Sequence, residues 1–202
     1  SRLLGLKGWI EILCSFVVLY LFDYVWHRCN HRIKFLWRFH KAHHTDTEID
    51  VSTSLRFHPG ELFLSAITKA AWLFIWGPTV IAWFLFEASV SLSAQFHHSN
   101  IDFPDEIENR ILWILVTPRF HACHHAVKRK YGDANFSTIL SIWDRIFGSF
   151  ELPLKGGEAT SGTNTIGLPE DRNLSFSFLE WIREPMSERN LSLANSNKNT
   201  HI

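Results

Sequence analysis

Phe39-His40-Lys41-Ala42-His43-His44 is the stretch on which the reading of this chain turns. Each residue of a helix turns by about 100°, so positions i, i+3 and i+4 share a face. A helix here would present His40, His43 and His44 as one stripe of imidazoles. His27 and His31 lie just upstream at i and i+4, and His121, His124 and His125 repeat the H-x-x-H-H spacing far downstream. Three such stripes hold more imidazole than one ion needs, since a catalytic zinc takes about three protein ligands. They suit two metals sharing a site. Imidazole serves iron, zinc, copper and nickel alike, so residue type alone does not choose the metal.

The 202 residues are enough for one domain with a real core. Lysine plus arginine equal aspartate plus glutamate, so no charge bias points to nucleic acid. Hydrophobic residues make up 46% and fall in blocks, which suggests membrane segments. The chain opens on serine, with no initiator methionine and no evident signal peptide, and reads as a fragment lacking upstream helices. Three cysteines without a C-x-x-C argue against a disulfide framework; Cys29 and Cys123 lie inside the histidine motifs and are either soft ligands or plain packing.

Trp9 to Trp26 is the first apolar block, close to the roughly 20 residues of a spanning helix, with Trp9, Tyr24 and Trp26 as interfacial residues. Arg28, Arg32, Lys34, Arg38 and Lys41 follow with no acidic residue among them, and Lys128, Arg129 and Lys130 follow the second H-x-x-H-H. Such bases beside a span mark the cytoplasmic face, unless they only solvate a helix or bind headgroup phosphate. Leu62 to Gln95 is the largest apolar block; Gly77-Pro78 divides it into a helical hairpin whose first arm is short for a full span. The second arm delivers His97 and His98 to the starting face, one of them aimed at the metals.

Thr45 to Thr53 reads as a polar loop in which Asp46 could orient an imidazole N–H. Phe57-His58-Pro59 opens a helix, with His58 placed to point in from a loop. Ile107 to Val116 reads as an amphipathic helix along the membrane surface, stopped by Pro118. Tyr131 to Phe150 reads as a cap over the site; Asn135 or Asp144 could hold ligand histidines or serve ordinary capping. Phe176 to Ile182 reads as a short docking helix. These elements divide the chain into a catalytic region, 1–153, a C-terminal extension, 154–184, and a disordered tail, 185–202.

The ordered motifs His27-Arg28-x-x-His31, Trp37-Arg38-x-His40-x-x-His43-His44, Arg56-Phe57-His58-Pro59, His98-Ser99-Asn100, His121-x-x-His124-His125 and Trp143-Asp144-x-x-Phe147-Gly148 resemble the fatty acid hydroxylase / sterol desaturase superfamily, in its generic bacterial-type branch, over roughly residues 9 to 153. The resemblance implies an all-α, membrane-embedded bundle with a cytosolic histidine-rich cap. It implies a di-iron oxygenase whose lipid substrate enters from the bilayer, in a bacterial inner membrane or the endoplasmic reticulum. By position it gives His27, His31, His40, His43, His44, His58, His98, His121, His124 and His125 as metal ligands, with His97 as a further candidate. Two Fe ions and O2 would supply the chemistry, with zinc able to take the site in recombinant material.

The expected reaction is hydroxylation or desaturation of a lipid C–H bond. With no haem or flavin motif in the chain, a separate donor, such as a cytochrome b5-like protein or a ferredoxin and reductase, must supply electrons. A second oxygenase reading is ether-lipid cleavage, resembling the alkylglycerol monooxygenases, which use tetrahydrobiopterin. A rival from another class, a membrane metal transporter or metal-binding protein, should carry ionisable residues along its spans, where this chain has only Lys69 and Glu87. A zinc hydrolase would need the H-E-x-x-H glutamate that H-x-x-H-H lacks.

Overall fold

The computed structural model describes residues 1–152, 166–168, 182–183 and 185. Among them the chain is helical: α1 (Gly8–Arg32), α2 (Lys34–His44), α3 (Pro59–Trp76), α4 (Val80–His97), α5 (Asp105–Ile111), α6 (Pro118–His124), α7 (Arg129–Gly132) and α8 (Ile142–Ile146). Sheet pairing among the described residues is limited to two isolated bridges, Leu115 with Leu140 and Ala126 with Ile166. The docking helix expected over Phe176 to Ile182 and the tail from 185 fall almost wholly outside the described residues.

α1 packs along α4 through Leu19, Tyr20 and Phe86, with Trp72, Val90, Leu140 and Trp143 closing around them. Phe16 meets Phe86 edge-on at 5.5 Å and Phe22 stacks on Trp72 at 5.3 Å, which fixes α1 against both arms of the α3–α4 hairpin. Gly77 ends α3 in the left-handed conformation, at φ 64°, which a glycine enters without Cβ strain. Thr79 then caps α4 by accepting from the Ala82 N–H.

The hairpin turn is tied to α1 by one buried carboxylate. Glu11, 1% exposed, accepts from Ser15 Oγ at 2.7 Å, Thr79 N at 3.0 Å and Thr79 Oγ1 at 2.7 Å. Glu11→Ala removes these three hydrogen bonds and leaves the buried Ser15 hydroxyl without its acceptor, at a cost of about 3 kcal/mol. Denaturant unfolding in detergent followed by circular dichroism should show that loss.

α1 is the one helix among the described residues that is long and apolar enough to cross a membrane, with mean hydropathy 1.6 over its most apolar stretch. α3 and α4 form the expected hairpin but fall short of that measure. Each has 18 residues, about 27 Å of helix, and polar positions at Glu61, Lys69, Glu87 and Gln95 interrupt them. The Lys69 ammonium and the Glu87 carboxylate pair across the hairpin at 2.9 Å.

Two boundaries differ from the sequence expectation. The amphipathic helix ends at Ile111, where a turn and the Leu115–Leu140 bridge take over. Pro118 does not stop a helix; it begins α6 at its first turn, where its missing N–H costs nothing, behind the Thr117 cap. Arg119 anchors α6 from outside, with Nη2 2.6 Å from Asp102 and Nη1 2.5 Å from Asp105.

Candidate metal centre

A single extended residue, Ile33 (φ −96°, ψ 111°), separates α1 from α2. It turns the chain so that the last turns of α1 face α2. α6 comes in from the other side, held by its Thr117 cap and by the segment Ala134–Ser137. The three histidine-bearing helices thus converge at the end of α1.

Their imidazoles form two groups. His27, His31, His40, His44 and His124 make one; His43, His98, His121 and His125 make the other. Within each group the candidate ligand nitrogens all lie within 4.8 Å of one another. The groups share a wall, since the His44 and His125 rings stack at 4.3 Å and those of His43 and His44 lie 5.4 Å apart.

The single stripe expected of each H-x-x-H-H is therefore divided. On α2 the i,i+4 pair His40/His44 enters the first group and His43 the second. On α6 the i,i+4 pair His121/His125 enters the second and His124 the first. Adjacent histidines point about 100° apart, so each motif feeds both groups, and the two motifs do so in opposite proportion.

Hydrogen bonds fix which nitrogen faces inward. A carbonyl oxygen can only accept, so the ring nitrogen beside it carries the proton. His27 Nδ1 donates to Phe136 O at 2.7 Å, His124 Nδ1 to Ala134 O at 2.7 Å, and His98 Nδ1 to Ala94 O at 2.7 Å. In the neutral rings this leaves each Nε2 with a bare lone pair. Yet His27 Nε2 and His124 Nε2 face each other at 3.1 Å. Two acceptors at that distance repel unless a cation lies between them. The Nε2 atoms of His31, His40 and His44 are likewise buried without a hydrogen-bond partner.

In the second group His98 Nε2 lies 3.2 Å from His43 Nε2 and 3.1 Å from His121 Nε2, and His125 Nε2 lies 3.2 Å from His121 Nε2. For metal–nitrogen bonds of about 2.1 Å, neighbouring ligands stand about 3.0 Å apart in an octahedron and about 3.4 Å in a tetrahedron. The observed separations fall between those edges. The donor set fits a pair of imidazole-loving metal ions.

Electrostatics agree. Burial, and then the neighbouring imidazoles, hold the His43, His44, His121, His124 and His125 rings well below their ordinary value of 6.5. The rings are neutral at pH 7 and ready to bind metal. An unfolded chain takes up protons at these rings as pH falls through 6.5, while the fold resists until lower pH. Metal-free protein should therefore lose stability as pH drops below about 6.5, with no such loss above it. Thermal melts across pH 5 to 8 check this, and added metal should move the onset to lower pH.

The other predicted residues sit differently. His97 belongs to neither group; its Nδ1 donates to Thr138 O at 3.1 Å and its ring lies 3.9 Å from that of His121. His58, expected as a ligand, is placed at a helix start. It caps α3, its Nδ1 accepting from Gly60 N at 2.9 Å while its Nε2 donates to Ile182 O at 3.0 Å, and it lies outside both groups. Cys29 and Cys123 are also outside them.

Asp46 accepts from Thr53 Oγ1 at 2.8 Å and pairs with Arg56 at 3.2 Å, away from the imidazole N–H groups of the described histidines. Asn135 and Asp144 act one step back. Asp144 accepts from Phe136 N at 2.8 Å, Ser137 N at 2.9 Å and Ser149 Oγ at 2.7 Å. Asn135, buried at φ 58°, donates to Glu151 O at 3.0 Å and accepts from Glu151 N at 2.8 Å. Together they pin the Ala134 and Phe136 carbonyls that orient His124 and His27.

Glu61 was not foreseen. Its Oε1 accepts from the His40 Nδ1–H at 2.7 Å, in a pair almost wholly shielded from solvent. The only sequence signal was its place three residues after His58, on a turn entering an apolar block.

A cavity of about 240 Å³ opens beside both groups. Its walls run from His27, His43, His98 and His121 past Trp26, Phe57, Leu62, Val90 and Ala94 to Lys69, between α1, α3 and α4.

The chain belongs to the fatty acid hydroxylase family: the family's sequence model matches residues 12–149. The chain is 34% identical over 133 residues to the alkylglycerol monooxygenase of Homo sapiens, a match covering 64% of this chain and 28% of that protein. It is 28% identical over 147 residues to the ornithine lipid hydroxylase OlsE of Rhizobium tropici, covering 71% and 42%. It is 34% identical over 122 residues to a cholesterol 25-hydroxylase-like protein of Caenorhabditis briggsae, covering 57% and 39%. The chain thus spans less than half the length of these curated relatives. No solved structure matches it.

Proposed function

We propose that this protein is a membrane lipid oxygenase that inserts one atom of O2 into a lipid C–H bond at a pair of histidine-bound iron ions. The observation that carries the reading is the facing lone pairs of His27 and His124, with partnerless Nε2 atoms around them. The balance is R–H + O2 + 2 electrons + 2 protons giving R–OH + H2O, so an external one- or two-electron donor is required. The iron pair would supply O2 activation and the hydrogen-abstracting oxidant.

The chain's own residues do the rest. Ala94, Ala134 and Phe136 carbonyls hold three rings with Nε2 inward. Nitrogen-only ligation adds no ligand charge, keeping bound metal strongly Lewis acidic. Trp26, Phe57, Leu62, Val90 and Ala94 line the cavity and would seat an alkyl chain beside the histidines while keeping water away from it.

The membrane setting is supported by exposed apolar side chains on the outer faces of the helices. Val17 on α1, Phe63, Phe74 and Ile75 on α3 and Ile81, Phe84 and Leu92 on α4 all lie open. A patch of that extent belongs against another apolar phase. The basic residues in the last turns of α1 and on α2 support a cytosolic setting for the histidine end.

The test is product analysis by mass spectrometry on fatty acids, sterols and aminolipids, with reduced, iron-loaded protein in lipid nanodiscs. A product heavier by one oxygen, labelled from 18O2, supports the reading; no lipid-dependent O2 consumption with any class ends it. The likeness to alkylglycerol monooxygenases favours a second reading in which the attacked carbon bears an ether oxygen. Hydroxylation there gives a hemiacetal that collapses to aldehyde and alcohol. Aldehyde release dependent on a reduced pterin would select that reading over simple hydroxylation.

A further inference from the structure

Glu61 stands apart from the machinery described so far. It is 4% exposed, lines the cavity, and presents a buried Oε2 with no hydrogen-bond partner. Its Oε1 binds His40 Nδ1 at 2.7 Å and receives Asn30 Nδ2 at 3.4 Å. Gly60 makes the approach feasible: a Cβ there would lie 2.6 Å from the Phe39 ring, so only glycine lets the start of α3 close onto α2. The ligand rings whose inward nitrogens are fixed by carbonyls, His27, His98 and His124, rest on neutral acceptors. Among the described residues, His40 alone of the members of the two groups rests on a carboxylate.

We propose that Glu61 is a positioning residue for His40 that makes the five-histidine position the tighter of two unequal metal positions. The inference rests on the two-metal reading above. A carboxylate behind Nδ1–H holds His40 in the tautomer whose Nε2 lone pair faces inward. It also lends the ring partial imidazolate character, strengthening its bond to a cation. The four-histidine position has no carboxylate in an equivalent place among the described residues. The two ions should then be bound, and released to a chelator, one after the other.

The probe is Co(II), titrated against a chelator on detergent-solubilised full chain and read by its visible ligand-field bands. Wild type should take up two ions in separated steps. Glu61→Gln keeps the shape and loses the charge; it should weaken the tighter step by about 10- to 100-fold, the range for partners behind a metal-bound histidine, and leave the weaker step in place. Glu61→Ala should do the same or more. The retained second ion, with an unchanged circular dichroism spectrum, shows that the variant is folded. Measuring both variants in a His43→Ala background, where the four-histidine group is broken, isolates the step concerned. A Glu61→Gln protein in which both steps weaken alike, or neither moves, overturns the assignment of Glu61. Wild type that takes up no cobalt overturns the metal-centre reading itself.

Discussion

His43→Ala is expected to lose the ion of the four-histidine group and to abolish turnover, a fall beyond the roughly 100-fold that removing a mere supporting partner produces. His43 is buried, supplies a nitrogen 3.2 Å from His98 Nε2, and stacks its ring on Phe57 at 4.9 Å. No other α2 histidine can replace it, because His40 and His44 face the other group. Metal analysis beside activity checks the result. One ion should remain, held by the five-histidine group. Loss of both ions would mean that the groups bind as one unit; two ions retained would remove His43 from the ligand set.

Filling the cavity should have the second large effect, through a different quantity. Val90 lies on α4 against Leu19, Tyr20 and Phe86 on one side and the cavity on the other. Val90→Phe places a ring where an alkyl chain would run and touches none of the histidines. Metal content should stay at two ions, while kcat/KM for long-chain lipids drops by about 10- to 100-fold, the equivalent of roughly 1.4 to 2.7 kcal/mol of lost transition-state binding. Shorter chains should suffer less. Equal losses for every chain length would place the substrate path elsewhere.

The histidines themselves were legible before the fold was known, because their spacing matches the helix period. Nine of the eleven named as ligands or further candidates fall in the two groups, His58 and His97 being outside. What the spacing could not give was the partition. Three residues within about 100° of arc look like one stripe, and only the placement of neighbouring helices decides which group each one joins. The one-residue break at Ile33 sets that placement for α2, and a lone extended isoleucine between two helical patterns carries no sequence mark.

His58 stands apart from the two groups for a related reason. A histidine before proline at a helix start can satisfy its ring by capping, and here it does. The supports behind the ligands were hidden too. The Ala134 and Phe136 carbonyls are backbone atoms, which residue identity does not reveal. Asp144 and Asn135 act on those carbonyls rather than on the rings. Glu61 is separated from His40 by 21 positions, so only the folded chain shows the pair. The hairpin at Gly77-Pro78 was plain from its turn residues, and α3 and α4 form its arms.

The account stands most directly on what lies between the facing imidazoles. Iron K-edge X-ray absorption on anaerobically loaded, detergent-solubilised protein, with iron counted per chain, measures it. Two irons per chain, each with a nitrogen shell near 2.1 Å and the multiple scattering of several imidazole rings, is the predicted result. One iron or none, or a first shell without the imidazole signature, would contradict it.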